Sequence, residues 1–579
     1  MDILTEILEK YKLENKIIYF NKIVDVINKR FTLTEIKQFD KLNYFVLNND
    51  KIIIDYKKMI KDITHIKFTK DQKKSIINIF KFLADDAEKI YGLYGYAGTG
   101  KTTTIIEIII FLIKNKLINK IALTAPTNKA VNVMKIKFKN YIKELHELFC
   151  DRDIDDFDIM LNDLGHNGIT IDFITIHKLL KYEMDYDCEG NVIFVKTSSK
   201  TDIMNYEIIV IDECSMIPEE IIKTIFTSIK KYDTKIVFCG DPAQLPPISE
   251  KESKIFTKDI NTNILKKVMR NKLKHVVNVW TIIRLWITEG TIPNLTDKVI
   301  KDDIINKIIG VYAYSLKIDW FNKCLEYFQE SKHDNIILVW TNFQANEYNR
   351  LVRETLFGKS IDKYVANDII MLNEFYGTLN DKLYTSEQLK IIKVETMKKQ
   401  IKKIGYNLSK NILKMENGKQ MNNKYIECID NINFYLSNDW KCWKMYVKKT
   451  TEQKILDEPP IIFVLFDEEI GRWNKLITMC QNLIKKMKIQ MIMKNKDNVT
   501  KIETIIIKPL WQTIHTTIIN TFANISYGYA ITCHKAQGSN YYNVYVDGHD
   551  ILKNKNIDEA KKCLYTAITR SSNELHLLL

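Results

Sequence analysis

Residues 91–104 read Tyr-Gly-Leu-Tyr-Gly-Tyr-Ala-Gly-Thr-Gly-Lys-Thr-Thr-Thr. Gly95, Gly100, Lys101 and Thr102 fall in the spacing G-x-x-x-x-G-K-T of a phosphate loop. Glycines at 95, 98 and 100 allow torsions that turn successive backbone N–H groups toward one anion. The helix beginning after Gly100 adds its positive end, with Thr99 and Thr103 completing the cradle on either side. Lys101 can reach the β- and γ-phosphates of a nucleotide, and the Thr102 hydroxyl can hold Mg²⁺. Apolar runs flank the stretch, Ile90–Tyr94 before it and Thr103–Leu112 after it. They predict strand, loop and helix in that order.

The other half of a nucleotide site follows downstream. Glu207–Ile211 is an apolar strand ending in Asp212-Glu213. Asp212 suits the metal shell and Glu213 suits a general base acting on water. Lys235–Cys239 is another buried strand, and it leads into Gly240-Asp241-Pro242-Ala243-Gln244-Leu245-Pro246-Pro247. Gln244 is placed to sense the γ-phosphate. Upstream, Gln72 follows Phe68-Thr69-Lys70-Asp71, and its amide offers one donor and one acceptor to the edge of adenine. The strand Ile121–Ala125 runs into Pro126-Thr127-Asn128-Lys129, a mixture that suits sugar–phosphate contacts and equally a helix N-cap.

The chain has 579 residues, too many for one core. A net charge of +14 and a pI near 8.9 point to a polyanionic partner, nucleic acid first. Its ten cysteines are scattered from Cys150 to Cys563 without a C-x-x-C pair, which argues for reduced thiols rather than a zinc module. The start of the chain lacks a signal-peptide apolar region, and no apolar run approaches membrane-spanning length. An intracellular, soluble protein is expected.

Residues 1–64 are helical in pattern, with Ile3, Ile7, Leu8 and Tyr11, then Ile23, Val24 and Ile27. Thr175 and His177 sit in Ile174-Thr-Ile-His-Lys-Leu-Leu. Tyr182–Lys200 carries a Glu-Gly-Asn turn and predicts a β-hairpin. Arg270 closes Leu265-Lys-Lys-Val-Met-Arg, and Ile336–Val339 with the helix Gln344–Leu356 restarts an α/β pattern. Between Ile361 and Leu510 short β-like runs (Ile369–Leu372, Tyr425–Cys428, Ile461–Phe466) alternate with lysine clusters, a cationic flank for phosphates. Tyr527–Ser539, containing Thr532-Cys533-His534-Lys535-Ala536-Gln537-Gly538, then resumes the core. A strand (Val544–Val546), a helix carrying Arg570 and a last strand (Glu574–Leu578) complete it.

In this order the motifs resemble superfamily 1 helicases, in particular the 5′→3′ branch with RecD, Dda and the PIF enzymes. The double proline after Gln244, Thr175-Ile176-His177 and His534-Lys535-Ala536-Gln537-Gly538 point to that branch. The resemblance implies an α/β fold: two RecA-like parallel-sheet domains, a β-hairpin insertion, a mixed β/α insertion and a helical N-terminal segment. It places the first domain at 65–262 with the hairpin at about 181–200. The second domain is expected at 263–360 and 512–579, split by a β-barrel-like and helical insertion at 361–511. ATP with Mg²⁺ would lie between the domains. Arg270 and Arg570 would reach the γ-phosphate from the second domain, and Gln537 and Gly538 would line the cleft. Pro126, Thr127, Asn128, Thr175, His177, Thr532, His534 and Lys535 would meet the backbone of a single strand. The implied activity is ATP-driven unwinding of duplexes, with single-stranded DNA and a forked duplex as partners. An RNA helicase of the same superfamily, the motor subunit of a recombination nuclease, and a nucleic-acid scaffold with an inert nucleotide site are the alternatives.

Overall fold

The computed structural model describes residues 16–30, 44–48, 51–63, 66–150, 154, 156–198, 200–292, 310–330, 334–359, 362–377, 382–436, 438–450, 459–494 and 499–579. The N-terminal run Ile3, Ile7, Leu8, Tyr11 lies outside them. Two compact units are present: Met1–Lys181 with Ser198–Glu347 and Ala530–Leu579, and Tyr182–Thr197 with Tyr348–Tyr529. Strands are numbered along the chain.

The first unit begins with the helix Phe20–Arg30, the antiparallel pair β1 (Phe45–Asn48) and β2 (Lys51–Ile54), and the helix Tyr56–Asp62. The helical pattern expected for 1–64 is met at Phe20–Arg30 and Tyr56–Asp62 and gives way to the strand pair at 45–54. There Phe45, Ile52 and Ile54 alternate with outward residues and bury one face of a hairpin. The described part of this segment packs into the rest of the unit. Ile17, Phe20, Ile23 and Ile52 share one core with Ile79, Phe111 and Leu123.

That core belongs to a parallel sheet of β3 (Ile90–Gly95), β4 (Lys120–Ala125), β5 (Thr170–Thr175), β8 (Ile208–Ile211), β9 (Lys235–Gly240) and β10 (Asn261–Leu265), in the order β10-β3-β9-β8-β4-β5. The inner strands β8 and β9 are buried along their whole length, as strands covered on both faces are, whereas the edge strands β5 and β10 carry polar residues. The helix Lys101–Lys114 is buried from Thr104 to Ile113, all round, as its unbroken isoleucines require. β10 pairs along β3 from Asn261↔Tyr91 to Leu265↔Gly95. The boundary expected after 262 thus cuts through a strand of the first sheet.

A second parallel sheet takes the order β11-β22-β21-β12-β20, from β11 (Val311–Tyr314), β12 (Asn335–Val339), β20 (Ala530–Thr532), β21 (Asn543–Asp547) and β22 (Leu575–Leu578). Two RecA-like parallel-sheet layers are therefore present. The second re-enters at Ala530, not at 512.

The second unit contains the expected hairpin, β6 (Tyr182–Tyr186) and β7 (Val192–Lys196), paired Met184↔Phe194. Its antiparallel sheet runs β18-β17-β16-β13-β19, from β13 (Ile369–Leu372), β16 (Gln388–Lys399), β17 (Trp440–Lys449), β18 (Ile461–Leu465) and β19 (Ile525–Tyr527). A small pair, β14 (Tyr376–Gly377) with β15 (Lys382–Leu383), accompanies it. The run Tyr425–Cys428, expected as β, lies inside the helix Gly418–Leu436. Met421, Tyr425, Cys428, Ile432 and Leu436 recur at helical spacing and bury one stripe. The hairpin packs on the helix Lys508–Thr517. Tyr186 stacks on His515 with ring centroids 4.0 Å apart, His515 Nε2 lies 2.9 Å from the Gly190 carbonyl oxygen, and Lys508 pairs with Asp185 at 3.2 Å. Among the described residues no helix is long and apolar enough to cross a membrane.

Candidate nucleotide and strand site

β3 delivers the chain to residues 96–100 at the carboxyl edge of the first sheet, where ligands of open parallel sheets bind. Glycine is required there. A Cβ on Gly95 would stand 2.6 Å from the Leu265 carbonyl oxygen, because β10 closes against the strand end. Gly98 (φ +72°) and Gly100 (φ +80°) occupy left-handed torsions. Thr99 is buried and its hydroxyl donates to the Tyr96 carbonyl oxygen at 2.9 Å. Lys101 folds back over the turn, donating to the carbonyl oxygens of Gly95 (2.9 Å) and Tyr96 (3.0 Å). Thr103 follows in the first turn of the helix.

The carboxyl end of β8 brings up the acidic pair. Thr102 Oγ1 donates to Asp212 Oδ2 at 2.7 Å, so the two groups expected to share a metal shell already touch. Glu213 follows at φ 52°, a left-handed torsion strained for a side chain and held by its own N–H donating to Asp212 Oδ1 at 2.9 Å. Burial raises the Glu213 pKa and the Asp212 charge adds to it, while Arg570, Lys101 and Arg270 oppose. A carboxyl held partly in reserve in this way suits a general base.

Gln244 lies at the carboxyl end of β9, buried, and its Oε1 has no hydrogen-bond partner. An orphaned buried acceptor is costly unless a ligand or water completes it. Arg270 packs against Gly98 of the loop. Its N–H donates to the Gly98 carbonyl oxygen at 2.9 Å, and Nη1 donates to the Thr569 carbonyl oxygen at 2.9 Å. Burial and the neighbouring Arg570 bring the Arg270 pKa down to about 10, leaving it a cation at neutral pH. Arg570 is fully buried, with Nε donating to the Thr566 carbonyl oxygen (2.9 Å) and Nη1 to that of Ser539 (3.2 Å). Three cations thus face two carboxylates around a glycine turn. The donor set fits a nucleoside polyphosphate with a hard divalent metal on Thr102 and Asp212.

An AAA-domain family profile matches residues 83–250, and a UvrD-like helicase C-terminal domain profile matches residues 527–578. An uncharacterized protein of Acanthamoeba polyphaga mimivirus is 31% identical over 88% of this chain and 100% of its own length. RecD, a subunit of the RecBCD enzyme of Buchnera aphidicola, is 29% identical over 83% of this chain and 69% of its own. The chain belongs to the 5′→3′ branch of the superfamily 1 helicases. Among solved structures, a Pif1 helicase from Bacteroides aligns over 89% of this chain and 92% of its own with a TM-score of 0.40 at 14% identity. As a helicase of this branch, the chain is a nucleotide-dependent enzyme.

Within this helicase two expectations need correction. Arg270 does not come from the second domain. β10 pairs with β3, so the residues after Leu265 return directly over the phosphate loop. Only Arg570 arrives with the second sheet, on the end of the helix Ile557–Ile568. Gln72 does not present a free amide edge either. Its Oε1 accepts from the Thr69 N–H (2.9 Å) and its Nε2 donates to the Thr99 carbonyl oxygen (3.2 Å). It caps its own helix and braces the loop from behind.

A buried network went unread in the sequence. Arg284 pairs with Asp241, lies 4.0 Å over the Tyr96 ring, and donates to the Tyr565 hydroxyl at 3.0 Å. That hydroxyl also accepts from the Ala97 N–H (3.2 Å) and donates to Asp241 Oδ2 (2.9 Å). The loop, the end of β9 and the Arg570 helix are thereby joined. The available signal was a single arginine inside the apolar run Val276–Ile287. Gln537, from the turn after β20, donates to the Leu245 carbonyl oxygen at 3.1 Å, a second link across the cleft, and Gly538 follows at φ +78°.

The residues expected to meet a nucleic-acid strand fall at the carboxyl ends of β4, β5 and β20. Thr127, after Pro126 and before Asn128, caps its helix by accepting from the Ala130 N–H at 3.2 Å. Thr175 does the same from Lys178 at 3.3 Å. His177 is half-buried and burial lowers its pKa. Thr532 is buried and accepts from the Lys535 N–H at 3.4 Å, while His534 is exposed. Lys129 Nζ donates to the Lys535 carbonyl oxygen at 3.3 Å, bringing the β4 and β20 turns side by side.

Proposed function

We propose that this chain hydrolyses ATP with Mg²⁺ at the site around Lys101 and uses the cycle to move 5′→3′ along single-stranded DNA, opening a forked duplex ahead of it. The observation that carries the reading is the convergence of Lys101, Asp212, Glu213, Arg270 and Arg570 on one buried glycine turn.

When bound, Mg²⁺ would supply charge neutralisation and orientation for the β- and γ-phosphates, held by Thr102 and Asp212. Lys101 exchanges its two carbonyl contacts for phosphate oxygens. Glu213 accepts a proton from the attacking water, and Gln244 Oε1 orients that water. The guanidinium forks of Arg270 and Arg570 stabilise charge on the transferred phosphoryl group. Because Arg570 and Gln537 arrive with the second sheet, their contacts change when the two sheets approach or part. That change is what a strand gripped at Thr127, Asn128, Thr175, His177, His534 and Lys535 would feel as a step. Grip through phosphates makes stepping insensitive to base sequence and weaker in salt. The hairpin exposes Met184, Val192 and Phe194, an apolar surface that suits stacking against the first base pair of a fork.

The test is unwinding of duplexes bearing a 5′ or a 3′ tail, in DNA and in RNA, with Lys101→Ala as control. Unwinding of the 5′-tailed DNA alone, lost in Lys101→Ala, is expected. Unwinding only of 3′-tailed or only of RNA substrates would overturn the direction or the substrate.

A further inference from the structure

Outside the nucleotide cleft, the turn after β20 and the helix Ile557–Ile568 bring His534, Glu559 and Cys563 together. Their ligand atoms all lie within 4.8 Å of one another, and His534 Nε2 stands 3.8 Å from Glu559 Oε1. Glu559 and Cys563 are four residues apart on one helix, which stacks their side chains on a single face. The cluster is graded in depth: Cys563 is buried, Glu559 half-buried and His534 exposed. A thiol forms the floor, and the imidazole borders the route from solvent.

The donor types decide the class of ion. Magnesium and calcium take oxygen ligands, whereas thiolate, imidazole and carboxylate together suit zinc. Zinc bonds of about 2.0–2.3 Å at tetrahedral angles place ligand atoms roughly 3.3–3.8 Å apart. His534 and Glu559 are already at that spacing, and the remaining closure is within reach of rotating an exposed ring. Cys533 hydrogen-bonds Cys563 and donates from Sγ to the Val339 carbonyl oxygen at 3.2 Å, fixing the floor of the cluster.

We infer that His534, Glu559 and Cys563 form a zinc site with three protein ligands and one position open to water, and that zinc bound there clamps the strand-contacting turn to the Arg570 helix. On binding, the Cys563 S–H proton leaves to solvent and the thiolate bonds the metal. The clamp, unlike the site itself, rests on the helicase reading. With His534 held, the turn cannot follow the strand, so zinc acts as a reversible brake.

The experiment titrates zinc into the full chain against a competing chromophoric chelator, with cobalt as a spectroscopic substitute. Wild type is expected to bind one zinc ion that depends on both residues, and its cobalt form to show a thiolate charge-transfer band. Glu559→Gln, altered at the rim, and Cys563→Ser, altered at the floor, should each weaken zinc binding by at least about tenfold. No zinc uptake by wild type, or uptake as tight in Glu559→Gln as in wild type, would overturn the site whatever the state of the buried serine variant. Single-strand affinity, measured with and without zinc, then tests the clamp. A zinc-dependent loss in wild type that is absent in Glu559→Gln is expected, and zinc binding with no change in strand affinity would overturn it. Metal binding is read without ATP or DNA, so failure of the helicase reading and failure of the zinc site remain distinguishable.

Discussion

Arg270 Nη1 donates to the carbonyl oxygen of Thr569 at 2.9 Å, one residue before Arg570. One cation from the first sheet's edge and one from the second sheet's helix thus reach the same turn along different routes. If both act on the transferred phosphoryl group, replacing either is expected to lower strand-stimulated ATP turnover by about 10³-fold or more. Arg270→Lys should rescue little, because a point charge does not reproduce the planar fork. Phosphate release under saturating ATP and single strand measures this, with thermal unfolding confirming that each variant folds.

Glu213 has a raised pKa, first from burial and then from Asp212. The base is active only when ionised, so turnover should fall as pH drops through a value above the ordinary carboxylate range. Glu213→Gln should remove that acid limb along with about 10²–10⁴-fold of the rate. Stability runs the opposite way. A carboxyl whose folded pKa lies above its unfolded value favours folding at low pH, and that contribution is lost as pH rises through the folded pKa. Glu213→Gln is therefore expected to raise the melting temperature above that pKa and to lose the advantage in acid.

The buried Arg284–Asp241 pair makes a separate prediction. Arg284→Met strands the Asp241 carboxylate and should cost about 3–5 kcal/mol, part of which Asp241→Asn added in the same chain should restore. Tyr565→Phe keeps the ring but removes the hydroxyl that accepts from the Ala97 N–H. Its expected effect is a higher KM for ATP, read from steady-state kinetics, with a loss of about 1–3 kcal/mol in stability from the buried partners left unsatisfied.

Gly190 sits at φ +87°, with the place of its missing Cβ 2.7 Å from the Trp511 ring. Gly190→Ala meets both a strained torsion and an aromatic wall. A loss of about 1–3 kcal/mol in hairpin docking is expected. Faster amide exchange at Asn191 and easier proteolysis between Tyr182 and Lys196 would report it, while strand-independent nucleotide binding should be unchanged.

How much of this was legible in the chain follows from range. The phosphate loop, the Asp212-Glu213 step and the 182–196 hairpin depend on torsions and patterns within a few residues, so they could be read directly. Tyr425–Cys428 was misread because a run of four with three apolar residues suits either period, and only the wider spacing from Met421 to Leu436 separates helix from strand. Which lobe supplies Arg270 was decided by β10 choosing β3 as its neighbour, a pairing set by burial across some 170 residues rather than by local preference. The occupied amide of Gln72, the closure of Arg284 on Asp241 and the meeting of His534 with Cys563 likewise exist only once distant segments are packed. Side-chain chemistry is written residue by residue, whereas whether a polar group is spent on its own fold or left for a ligand depends on what the tertiary structure sets within about 3 Å of it.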